Sequence, residues 1–97
     1  MVTKGLWVRL VAKPGMADAV ANFLRQGAAL AQQEPETRTW YAVQLDGQTF
    51  GIFDTFDADA GRQAHLSGPI AAALMANADT LLAQAPEIHY TDVLAVK

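Results

Sequence analysis

Two histidines, His65 and His89, are the side chains whose ordinary charge change falls near neutral pH. His65 lies in "GRQAHLSGPIAAAL", residues 61–74, just before a Gly68-Pro69 break. An imidazole in that position is suited to proton transfer, and a carboxylate on its second nitrogen would fix the tautomer. Asp54, at the end of the strand that leads into the His65 helix, is the candidate for that carboxylate. Both residues also have a plainer reading: a half-buried histidine tying a short helix to a sheet, and a solvated strand-end acid. Ser67 stands only two residues from His65 in sequence. No nucleophile-elbow pattern surrounds it, so a serine–histidine hydrolase is a poor reading and a cap before Pro69 a better one.

Metal coordination needs several convergent ligands. The chain has two separated histidines and no cysteine, so no metal site is expected. The absence of cysteine also excludes disulfides and thiolate nucleophiles. No Gly-x-Gly-x-x-Gly or phosphate-loop pattern occurs, and nothing calls for a nucleotide, a flavin or another cofactor.

The elements that must position His65 and Asp54 follow from periodicity. A length of 97 residues means one domain, 1–97. "TKGLWVRLVAK" (3–13) alternates as a strand, with Leu6, Val8, Leu10 and Ala12 on one face and Trp7 and Val11 on the other. Residues 16–33 carry an apolar stripe of Met16, Val20, Phe23, Leu24, Gly27, Leu30 and Ala31 at helical spacing. Residues 37–56 read as a hairpin. Its Asp46-Gly47 signals a two-residue turn that would set Val43 against Phe50 and Tyr41 against Ile52 on one face, and Trp40 against Phe53 on the other. Asp57 is a plausible cap for a helix over 58–66. Pro69 restarts a helix over about 70–84, and 87–96 forms a last strand.

The resulting order, β-α-β-β-α-β with a divided second helix, predicts a ferredoxin-like α+β fold. It has a four-stranded antiparallel sheet with helices on one face. The hairpin and the first strand carry bulky apolar groups on both faces, so the face without helices would be left exposed in a monomer. A homodimer that packs two sheets face to face is therefore expected.

Net charge is −3, and the seven basic residues are scattered. Nucleic acid is not an expected partner, because phosphate binding needs clustered positive charge. Neither a membrane-surface helix nor a membrane span is legible. A cytoplasmic location is the expectation.

A strand ending "VAKPG", then a helix, then "FGIFDTFDADAGRQAHLSGPIAAAL" resembles the antibiotic biosynthesis monooxygenase family, within the dimeric α+β barrel superfamily. The likeness covers nearly the whole chain. Its most specific part is Asp54-Thr55-Phe56 followed by "AHLSG". The resemblance implies a homodimer with a shared barrel and one pocket per subunit between helices and sheet. Some members are cofactor-free oxygenases of quinols or polycyclic phenols, others degrade haem, and others are isomerases or have no known activity. The haem-degrading branch uses an Asn, a Trp and a His where this chain has Val8, His65 and Met75, which argues against haem.

The expected function is thus a cofactor-independent monooxygenase acting on a small planar hydroxylated aromatic such as a quinol. His65 would be base or hydrogen-bond partner, oriented by Asp54. Phe23 and Tyr41 are candidate walls for a flat substrate, with Val8, Leu66 and Met75 beside them. The alternatives are a non-catalytic dimer that binds a small ligand and a proton-transfer isomerase or lyase.

Overall fold

A computed structural model describes residues 1–97. The elements are β1 (Lys4–Val11), α1 (Ala17–Ala31), β2 (Thr37–Gln44), β3 (Thr49–Phe56), α2 (Asp59–Leu66), α3 (Pro69–Leu81) and β4 (Glu87–Asp92). The four strands form one antiparallel sheet in the order β2-β3-β1-β4. This is the ferredoxin-like α+β arrangement that the periodicity predicts, with the second helix split at Gly68-Pro69. No helix is long and apolar enough to cross a membrane.

Alternation sorts β1 cleanly. Val8, Leu10 and Ala12 join Phe50 and Ile52 of β3 in a core closed by Val20 and Leu24 of α1 and by Leu74, Ala78 and Leu82 of the α3 segment. In α1 the buried residues Val20, Leu24, Gly27 and Ala31 recur at helical spacing and form the stripe that meets the sheet. Gly27 allows α1 to close on β2: a Cβ there would lie 3.3 Å from the Trp40 ring.

The hairpin differs from its sequence reading by one residue. Asp46 does not sit in a two-residue turn. Its Oδ1 accepts hydrogen bonds from the backbone N–H groups of Gln48 and Thr49, and the Leu45 N–H donates to the Thr49 carbonyl. The loop is therefore four residues, Leu45–Gln48. Trp40 consequently pairs with Asp54, Tyr41 with Phe53, Ala42 with Ile52 and Val43 with Gly51. A slip of one residue exchanges faces. Trp40 thus joins the helix-covered side, while Tyr41 and Val43 join the open side with Trp7 and Phe53. On that open side the Trp7 ring lies over Gly51, where a Cβ would come within 2.2 Å of it.

Smaller differences have local causes. β4 stops at Asp92, and α3 ends at Leu81 because Leu82 turns to bridge Ala12. Asp57 does not cap α2; its carboxylate instead pairs with Arg38. Ser67 donates back to the Gln63 carbonyl within its own helix, so it does not cap α3.

Candidate active site

α2 is pinned to the sheet by Arg62. The guanidinium bonds Asp59 and donates to the carbonyls of Gly5 and Thr91 on β1 and β4. It also lies 4.7 Å from the centre of the Tyr90 ring. One helical turn later His65 projects onto the same side of the sheet and is itself buried.

Both ring nitrogens of His65 meet carboxylates. Nε2 lies 3.0 Å from Asp54 Oδ2, and Nδ1 lies 2.6 Å from Glu34 Oε1. The Asp54 side chain is 1% exposed, that of His65 8% and that of Glu34 15%. Phe56 covers the ring at 5.5 Å. Burial alone would lower the imidazole pKa. The hydrogen bonds and charges of Asp54 and Glu34 outweigh burial, so the net shift is upward from the ordinary 6.5. His65 is therefore biased toward an imidazolium clamped between two acids. Neither nitrogen is free to face a ligand in this arrangement.

Glu34 was not visible as a partner in the sequence. It sits in the turn after α1, where the Thr37 N–H donates to the Glu34 carbonyl at 3.2 Å across Pro35. Pro35 presets that turn. The Thr37 hydroxyl also donates to Glu34 Oε1, and Oε2 is buried without a partner. The only local hint was an acid placed before a proline at a helix end.

The main cleft, about 390 Å³, opens between α1 and the sheet edge. Ala21, Leu24 and Ala28 of α1 face Trp40, Ala42 and Phe50 across it, and Tyr41 and Val43 border it from the edge strand. A smaller hollow of about 140 Å³ adjoins it and holds Glu34, Thr37, Arg38 and Thr39. Ala28 and Trp40 line both. The indole N–H of Trp40 is buried and has no partner.

Of the expected wall residues, Tyr41 borders the cleft. Val8 is in the core, Phe23 packs against that core, Leu66 is half-buried in α2 and Met75 is exposed on α3; none of these four lines the cleft. Asp54 and His65 come together as a pair, but outside the cleft wall. No group of three or more His, Cys, Asp or Glu side chains has the arrangement to hold a metal ion.

No family model and no curated protein matches the chain. Its likeness lies with solved structures. A Nitrosomonas europaea protein of unknown function is 52% identical, with TM-score 0.98 over 100% of this chain and 94% of that one. A Pseudomonas aeruginosa protein, 23% identical with TM-score 0.84 over 98% and 97% of the two chains, shares the fold. A Chloroflexus aurantiacus protein assigned to the antibiotic biosynthesis monooxygenases is 26% identical, with TM-score 0.77 over 98% and 96%. Further structures named as antibiotic biosynthesis monooxygenases share this fold, and the chain resembles that family. The segment with the most specific resemblance, Asp54-Thr55-Phe56 followed by "AHLSG", supplies two of the three side chains of the carboxylate–imidazole–carboxylate clamp. Glu34 supplies the remainder.

Proposed function

We propose that the protein is a homodimeric monooxygenase that takes a small planar quinol into the cleft between α1 and β2. The observation that carries this reading is an apolar cleft of about 390 Å³, floored by Trp40, that continues into the hollow where Glu34 stands. That volume suits a small aromatic ligand. A flat ring would lie against the indole, with its hydroxyl toward the polar hollow.

The reaction proposed is quinol plus O₂ giving hydroxyquinone plus water. One oxygen atom enters the ring and the other leaves as water with two substrate hydrogens. The quinol supplies all four electrons, so the reaction balances without a further reductant. The protein must favour the quinolate, hold it and exclude water. Glu34 is the acceptor for the hydroxyl proton. His65, engaged at both nitrogens, acts as a positioning residue that holds Glu34 against Asp54.

The dimer would form through the sheet face without helices, where Trp7, Val11, Tyr41, Val43 and Phe53 lie. Tyr41 is 58% and Val43 43% exposed there, and apolar area of that kind favours burial against a second copy.

An oxygen electrode with a reduced naphthoquinone tests the reading. Oxygen uptake above autoxidation is expected from the wild type, with a large loss in Glu34→Gln and in Trp40→Ala. Ligand binding without uptake would instead support a non-catalytic binding protein.

A further inference from the structure

The cleft has one charged side chain in its lining, and that charge is positive. Among its ten lining residues Arg25 alone is ionised. The chain as a whole is acidic, with ten carboxylates against seven basic residues, so a cation here does not reflect a generally basic surface. The Arg25 guanidinium makes a single hydrogen bond, from Nη1 to Asn22 Oδ1 at 3.0 Å. Its remaining donors are available, and a planar guanidinium pairs well with carboxylate oxygens.

The bond to Asn22 draws Arg25 toward the start of α1, away from the hollow that holds Glu34. Asn22 and Ala31, the last α1 residue before the Glu34 turn, are separated by roughly 13 Å along the helix axis. At the hollow, Arg38 is already paired with Asp57 and His65 is shared by two carboxylates, so the groove runs from a cation without a carboxylate partner at the Arg25 end to a net negative charge at the Glu34 end. A carboxylate on the ligand is repelled from the Glu34 end and attracted to the Arg25 rim. Gln44, also in the lining, adds a neutral polar group at the far end of β2.

From this polarity we infer that the preferred ligand is a planar hydroxyaromatic acid, bound with its hydroxyl toward Glu34 and its carboxylate on Arg25. The inference rests on the reading of the cleft as an aromatic site and adds the substrate class and its orientation.

Two redox-stable probes separate the claims. Titration calorimetry compares 6-hydroxy-2-naphthoate, which carries its hydroxyl and carboxylate at opposite ends, with 2-naphthol. The wild type should bind the acid about three- to tenfold more tightly, the range of a partly exposed charge-assisted pair. Arg25→Gln should bring the acid down to the affinity of 2-naphthol, and Arg25→Lys should retain part of the preference. Arg25 is exposed, so these variants are expected to fold. Equal affinities in the wild type, or a preference that survives in Arg25→Gln, would overturn the inference while leaving an aromatic site in place. Binding of neither probe would overturn the aromatic site as well.

Discussion

Replacing His65 by leucine removes the cation between two buried acids. With contacts of 2.6 and 3.0 Å on either side of the ring, the facing oxygens of Glu34 and Asp54 stand roughly 7 Å apart. At an effective dielectric constant of about 20, two like charges at that distance repel by about 2 kcal/mol. The variant also loses two charge-assisted hydrogen bonds and leaves carboxylates buried without a counter-charge. Breaking a buried ionic network in this way costs about 3–5 kcal/mol. Urea unfolding followed by circular dichroism at pH 7 should show a loss of that size with an unchanged m-value. Adding Asp54→Asn to the His65→Leu background should recover about 2 kcal/mol, because it removes the like-charge repulsion. A loss below about 1 kcal/mol in His65→Leu would refute the clamp, as would a second substitution that only destabilises further.

The stability of the wild type should also depend on pH in a defined direction. The folded pKa of His65 is raised, so its contribution is fully present below 6.5, the ordinary value, and is lost as pH rises through the higher folded value. The gap in urea midpoint between wild type and His65→Gln should narrow as pH rises above 6.5; a constant or widening gap would contradict the assignment. Sedimentation equilibrium at micromolar concentration should give twice the 10.4 kDa chain mass for the wild type and a shift toward monomer in Val43→Asp. A monomeric wild type would remove the proposed sheet-to-sheet dimer.

Much of the fold was legible because burial in a small sheet enforces period two and burial of a helix enforces its stripe. Leu6, Val8, Leu10 and Ala12, and the α1 stripe from Val20 to Ala31, show both patterns in the sequence and are buried in the structure. Gly68-Pro69 marked the split in the second helix for an equally local reason. The hairpin register was not legible. Asp46-Gly47 carries the pattern of a two-residue turn, but the Asp46 carboxylate can also take the N–H groups of Gln48 and Thr49, and that arrangement prevails. The consequence reaches the cleft, since the one-residue slip turns Trp40 inward and Tyr41 outward.

The clamp was half legible. Asp54 and His65 lie at the two ends of one β-α connection, so chain geometry brings them close. Glu34 reaches His65 from a separate turn, and no spacing rule links residues that meet only through tertiary packing. The electrostatics of His65 changes with that third partner. With one carboxylate it would keep a free nitrogen; with two it has none.

The proposed reaction inserts one atom of O₂ into a quinol bound in the cleft beside Glu34, His65 and Asp54. Mass spectrometry of the product formed under ¹⁸O₂ tests this most directly. A hydroxyquinone carrying one ¹⁸O atom is expected, with the second in water, and that product is lost in Glu34→Gln. An unlabelled quinone accompanied by hydrogen peroxide, or no product beyond the enzyme-free control, would contradict it.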